Sequence, residues 1–193
     1  MLMSKKKDLI YESALQAFAQ YGYTDTTMDT IAEFAQVAKG TLYYHFKTKE
    51  ELFYYVNQKG VEMLMESVKG ATEDTTMTPQ ERLLHVLDEH LRFFSNNSEF
   101  CLLLLSFSSG DITRDNMVRT LLGNYFSLME KYLANMQEQG FIKSDMETQT
   151  VVSALFGSIG FVVLRKMFRN EPVYTLETRD TLLILFKGAL GLA

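Results

Sequence analysis

The chain has 193 residues, 47% of them hydrophobic, which is enough for a large buried core and excludes a disordered polymer. A formal net charge of −5 excludes a surface that attracts nucleic acid everywhere, so any such contact must come from a local concentration of donors. The single cysteine, Cys101, excludes an intrachain disulfide, and only Pro79 and Pro172 interrupt segments filled with Leu, Met, Ala, Glu, Lys and Gln, so the expected class is all-α, with about nine helices.

From Lys5 to Tyr21 the apolar positions Ile10, Ala14, Ala17, Phe18 and Tyr21 recur at helical spacing, and Gly22 ends the pattern as a C-terminal cap. Thr27 stands where its hydroxyl caps a short helix over Met28 to Ala35, with Asp29 in the positive first turn. Lys39 to Phe46 supplies a third short helix, with Leu42 and Phe46 one turn apart for burial. Thr48, Lys49, Glu50 and Glu51 form a capping box that opens a long fourth helix, expected to reach about Lys69. A second box, Thr78, Pro79, Gln80 and Glu81, opens a fifth helix ending at Phe94 or Ser95.

The sixth helix is expected over Glu99 to Phe107, a turn over Ser108 to Thr113, and the seventh helix over Arg114 to Gln139, stopped by Gly140. Ser144 with Glu147 reads as a third box starting an eighth helix that runs to about Phe168, and after a turn at Asn170 and Pro172 a ninth covers Leu176 to Leu190. The longest apolar stretch, Val151 to Leu164, is shorter than the roughly 20 residues a bilayer requires, which predicts a buried helix. Met1 to Lys7 lead into no long apolar run with a cleavage site, so a cytoplasmic location is expected.

The second helix, a tight turn and the third helix have the proportions of a DNA-binding helix-turn-helix. Between Val37 and Lys49 stand Lys39, His45, Lys47 and Lys49 with no acid among them. With Leu42 and Phe46 turned inward, Lys39, Thr41, Tyr43, Tyr44 and His45 face outward, a set of donors and rings suited to phosphate oxygens and purine acceptor edges.

On G-Y-T-D-T-T at Gly22 to Thr27, on Ile31 and Ala32, and above all on K-G-T-L-Y-Y-H-F-K-T-K-E-E-L at Lys39 to Leu52, the chain resembles the tetracycline-repressor (TetR) family, over about its first 55 residues. The resemblance implies a DNA-binding domain over 1–48 and a ligand-binding and dimerisation domain over 49–193. It implies that Lys39, Gly40, Thr41 and Tyr43 approach bases, Gly40 because its missing side chain lets the backbone come close. It places Thr27, Tyr44, His45 and Lys49 at phosphates, with Lys49 and the amides of the fourth helix sharing one. Two residues depart from the family pattern. Gln36 stands where the turn commonly has glycine, and Ala38 replaces a hydroxyl cap, a change that costs about 1 kcal/mol.

Helices five to seven hold more apolar residues than one buried stripe requires. In the light of the family, a small lipophilic effector is expected against Phe94, Leu104, Tyr125, Phe126 and Met129. His85, Glu89 and His90 do not complete a coordination shell, so neither a metal nor another cofactor is expected. Ser106, Ser108 and Ser109 lie near Gly110 and Asp111 without the strand-turn-helix elbow of a hydrolase, so the chain does not read as an enzyme.

The eighth helix is apolar nearly all round and the ninth repeats the pattern. The resemblance implies a homodimer in which both pair with a second copy through Val151, Leu155, Ile159, Val162, Leu182 and Phe186. It implies a repressor that leaves a palindromic operator when the effector enters and the fourth helix shifts the spacing of the two recognition helices. The alternative is a helical dimer that binds a lipophile or a partner and no longer reads DNA, through distortion at Gln36 and Ala38.

Overall fold

The computed structural model describes residues 2–105 and 112–192, and the described residues form nine helices and no strand. These are α1 (Leu2–Asp25), α2 (Met28–Phe34), α3 (Lys39–His45), α4 (Lys49–Glu73), α5 (Pro79–Asn96), α6 (Ser98–Leu105), α7 (Ile112–Glu138), α8 (Thr148–Phe168) and α9 (Leu176–Leu190). Ser106, Ser108, Ser109, Gly110 and Asp111 lie outside the described residues.

Most ends follow the local chemistry. Gly22 takes φ 75° and breaks the axis of α1 three residues before its last residue. The buried Thr26 hydroxyl donates to the carbonyls of Gly22 (2.6 Å) and Ala17 (3.1 Å), fixing the turn toward α2. Thr27 caps α2 by accepting from the Thr30 amide at 3.0 Å. Thr78 and Glu81 make both bonds of the capping box on α5. At α4 the box is altered. The Glu51 amide donates to Thr48 Oγ1 at 3.1 Å, but the Glu51 carboxylate accepts from the Lys47 amide at 2.7 Å.

Three expectations are corrected. The box at Ser144 does not form, and α8 begins at Thr148 with Glu147 as its cap residue. The Gln137 side-chain amide donates to the carbonyls of Lys143 (3.0 Å) and Met146 (2.8 Å), holding 141–147 as a turn. The turn expected up to Thr113 is helical from Ile112. The apolar segment around Val151 to Leu164 belongs to a helix of 21 residues, long and apolar enough by composition to cross a membrane.

The chain divides into two compact units, Met1–Val61 with Glu99–Leu121, and Glu62–Ser98 with Leu122–Ala193. In the first, Ile10, Phe18, Ile31, Leu42 and Leu52 are fully buried, and Phe53 meets the Phe18 ring edge-on at 5.1 Å. Phe100 packs so closely over Gly60 that a Cβ there would collide with its ring. In the second, α5 buries Leu83, Val86, Leu87 and Leu91 among α7, α8 and α9.

Candidate nucleic-acid interface

The turn into α3 is built without its favoured residues. Gln36 sits at φ 50°, in the left-handed region where a Cβ crowds the following carbonyl, and Ala38 caps α3 with no side-chain bond. What holds α3 is burial: Leu42 is inaccessible and Phe46 nearly so. That fixes the other face outward, with Tyr43 43% and Tyr44 64% exposed. Lys39, Gly40 and Thr27 are exposed, while Thr41 and His45 are half-buried, His45 against the Tyr44 ring at 5.2 Å. A groove of about 320 Å³ lined by Thr26, Thr27, Met28, Asp29, Tyr43 and Lys49 lies beside this face.

Gly40 has nothing within 4 Å of the place a Cβ would occupy. Its fold does not require glycine, and glycine weakens a helix by roughly 0.5–1 kcal/mol relative to alanine. The backbone at Gly40 is thereby left open on the same face as Tyr43 and Tyr44. Lys39 Nζ meets the Asp29 carboxylate at 2.7 Å, which raises the lysine pKa, and both side chains are more than half exposed.

Lys49 departs from expectation. Its ammonium donates to the carbonyls of Tyr23 (2.8 Å), Thr26 (2.8 Å) and Thr24 (3.2 Å), and sits 4.3 Å from the Tyr23 ring centroid. This cation clamps the turn between α1 and α2. At the start of α4, Glu51 engages Thr48 and Lys47, and the Glu50 carboxyl is lowered in pKa by a bond from its own backbone amide and by Tyr23. In the chain without DNA the Lys49 ammonium is thus engaged within the fold. Lys47 Nζ likewise donates to the Tyr43 carbonyl at 2.9 Å, and Lys7 Nζ lies 4.3 Å from the Tyr55 ring centroid.

In the second unit, Phe94, Tyr125, Phe126 and Met129 come together; Leu104 is buried in the first unit. Phe156, which no sequence signal singled out, is their hub. Its ring centroid lies 5.5 Å from Phe94, 5.3 Å from Phe126 and 5.6 Å from Tyr125. A closed cavity of about 10 Å³ is lined by Leu83, Leu87, His90, Tyr125, Met129 and Phe156, with Val152, Leu155 and Ile159 of α8. His90 is buried, its Nδ1 2.7 Å from the Val86 carbonyl and its Nε2 against the Tyr125 hydroxyl. Burial pushes the imidazole down to about 4 and the phenol up.

On another face of α5, His85, Asp88 and Glu89 bring donor atoms within 4.8 Å of one another. Both Asp88 oxygens are already engaged, by the Tyr174 hydroxyl (2.8 Å) and Arg179 Nε (3.2 Å) on one and by Arg92 Nε (2.9 Å) on the other. An open groove of about 720 Å³ adjoins this cluster, lined among others by Met77, Leu84, Arg179, Leu183 and Lys187.

The residues assigned to dimerisation also redistribute. Leu155, Ile159 and Leu182 are buried within the chain itself, and Val151, Val162 and Phe186 are partly covered. The open stripe of α8 is instead Ala154, Phe161 and Phe168, joined on α9 by Ile184 and Leu185; Phe161 is 66% and Ile184 70% exposed. Apolar residues stand on both sides of α8, so helical period alone leaves the choice of inner face open, and the fit of Leu155 and Ile159 against α5 and α7 decides it.

Residues 10–56 match the family model described as bacterial regulatory proteins, tetR family, and residues 57–182 match that of the YsiA-like protein C-terminal region. The Bacillus subtilis (strain 168) HTH-type transcriptional regulator YhgD is 56% identical over 48 residues, 25% of each chain. The B. subtilis regulator YerO is 28% identical over 161 residues, 75% of this chain and 56% of its own, so the chain spans a quarter and somewhat over half of the lengths of these two relatives. The structure of the fatty acid degradation regulator FadR from Bacillus halodurans superposes with a TM-score of 0.84 at 20% identity, covering 97% of both chains. FadR from B. subtilis, solved in complex with stearoyl-CoA, superposes with a TM-score of 0.78 at 20% identity over 92% of this chain and 96% of that one.

Proposed function

The chain belongs to the TetR family of bacterial regulatory proteins, and from that premise we propose that it is a cytoplasmic transcriptional repressor that binds a palindromic operator as a homodimer and releases it to a small lipophilic effector. The observation that carries the DNA half is Gly40, an exposed helical glycine with no packing reason to be glycine, on a face that also offers Lys39, Thr41, Tyr43, Tyr44 and His45. Thr27 borders that face from the α2 cap. Lys49 acts indirectly, by fixing the turn that presents α2.

The open stripe on α8 and α9 supports the second copy. A contiguous apolar patch on a soluble chain marks an interaction surface, and a two-fold contact lets the same stripe serve both subunits. The same pairing accounts for α8 without a bilayer. Two recognition helices then face successive major grooves about 34 Å apart. An effector that prefers the arrangement with any other spacing weakens operator binding, and operator weakens effector binding by the same factor. The aromatic cluster around Phe156 supports a lipophilic effector, and the complex solved for B. subtilis FadR makes stearoyl-CoA the first compound to test.

The test is selection of sites from random duplex DNA by the full-length protein and by Tyr44→Ala. Enrichment of one palindrome that Tyr44→Ala enriches weakly, and that stearoyl-CoA or another lipophile releases, is the expected result. Failure of the wild-type protein to enrich any sequence, with binding that does not weaken as salt rises, would remove the DNA-reading role.

A further inference from the structure

Among the described residues, His90 and Tyr125 are the only polar side chains lining the closed cavity at the aromatic cluster, and their hydrogens can be counted. A carbonyl oxygen accepts and never donates, so the nitrogen 2.7 Å from the Val86 oxygen, Nδ1, carries the ring hydrogen. Burial keeps this imidazole neutral at physiological pH, which leaves Nε2 an acceptor that takes the Tyr125 O–H. The pair therefore has no hydrogen to spare, and the Tyr125 oxygen retains lone pairs with no donor from another described residue.

We propose that this pair selects the effector by hydrogen count, and that the effector is an apolar molecule whose buried polar group is a neutral donor of the hydroxyl type. The inference rests on the effector half of the proposed function and is independent of the DNA half. A hydroxyl satisfies every partner in either of two ways. It donates to the Tyr125 oxygen directly, or it inserts between the two side chains, accepting from Tyr125 and donating to His90 Nε2. An ether or ketone brings no hydrogen. If it takes the one on Tyr125 it strands Nε2, and if it does not it is stranded itself, and a buried acceptor without a donor is costly. A carboxylate adds the burial of a charge beside a neutral ring with no cation in the cavity lining. At about 10 Å³ the cavity has room for one water at most. Entry must displace lining side chains, and Met129, unbranched and flexible, is suited to yield.

The experiment titrates the full-length protein at neutral pH, by calorimetry, with 1-decanol, decyl methyl ether and decanoate. The expected result is at least tenfold tighter binding of the alcohol than of either other probe. His90→Leu leaves the Tyr125 O–H open as a donor, so the preference over the ether should vanish or invert. Tyr125→Phe leaves Nε2 as the open acceptor, so the preference should persist. Thermal melting verifies that each variant folds, and Tyr125→Phe alone still decides the matter if His90→Leu does not fold. Equal affinities, tightest binding of decanoate, no binding of decanol, or loss of the preference in Tyr125→Phe each overturns the assignment. Operator release by 1-decanol in the same preparations reads the effector proposal separately. Release without alcohol preference sinks only the role of the pair, and alcohol preference without release by any lipophile sinks only the effector reading.

Discussion

Replacing Gly40 with alanine should move stability and DNA affinity in opposite directions. The added methyl enters open space, with nothing within 4 Å, so no packing cost arises. Alanine removes the backbone entropy that glycine loses in a helix, a gain of about 0.5–1 kcal/mol, which for a chain of this length raises Tm by about 1–4 °C. In the complex the same methyl stands between the α3 backbone and the base edges. Losing one close base contact costs about 1–3 kcal/mol, a weakening of about 5- to 150-fold at the selected operator. Because no cation is removed, the dependence of affinity on salt should stay as in the wild type. Calorimetric melting and fluorescence anisotropy on the selected duplex at two salt concentrations measure all three quantities. A Gly40→Ala protein that binds operator within twofold of wild type, or that melts lower, would refute the reasoning, since it would mean that nothing approaches this backbone or that the glycine serves the fold.

Gln36→Gly should stabilise the chain by about 1 kcal/mol, because φ 50° strains a residue with a Cβ and not glycine, and denaturant titration reads the shift directly. Phe161→Glu combined with Ile184→Glu should convert a sedimenting dimer to monomer and abolish tight binding to a palindrome while leaving helicity by circular dichroism unchanged; persistence of the dimer would move the interface elsewhere. His90 titrates at about 4 in the folded chain against 6.5 for an unperturbed imidazole, so the unfolded chain binds the extra proton and stability falls as pH drops through that window. Between pH 7 and pH 5 the loss is roughly 2 kcal/mol, and His90→Leu should flatten that part of the melting profile. An unchanged slope in the variant would mean that the folded chain holds this imidazole at its unfolded pKa, with no penalty on its charge.

The parts of the fold that the sequence disclosed are those set by neighbours along the chain. Thr27 and Thr78 each cap the helix that follows, and Gly22 and Gly140 adopt the positive φ expected where a helical run is broken. The outward set on α3 was legible for the same reason, since two buried positions one turn apart fix the face of a seven-residue helix. The third capping box shows the limit of such signals. Ser144 and Glu147 have the right spacing, yet a single side chain, Gln137, supplies donors that hold the carbonyls of Lys143 and Met146 in a turn, and the local preference loses.

What the sequence withheld depends on groups far apart in the chain. His90 and Tyr125 are 35 residues apart and acquire meaning only as a pair, because each alone reads as an ordinary buried ring. Lys49 lies in the most recognisable string of the protein, but its ammonium reaches back 23 to 26 residues to three carbonyls, and a lysine near DNA-facing residues carries no mark of whether it will meet a phosphate or its own backbone. The consequence can be measured. With Lys49 and Lys47 committed to carbonyls and Lys39 held only by its exposed pair with Asp29, Lys39 would be the one of the three that exchanges its carboxylate for the DNA, while Lys49 would contribute by keeping the α1–α2 turn in place. Lys39→Met should therefore flatten the salt dependence of operator binding by about one phosphate contact without lowering Tm, whereas Lys49→Met should lower Tm and weaken binding with the salt slope preserved. The two lysines, ten residues apart in one motif, would then be told apart by the one quantity that distinguishes a charge meeting DNA from a charge holding the fold.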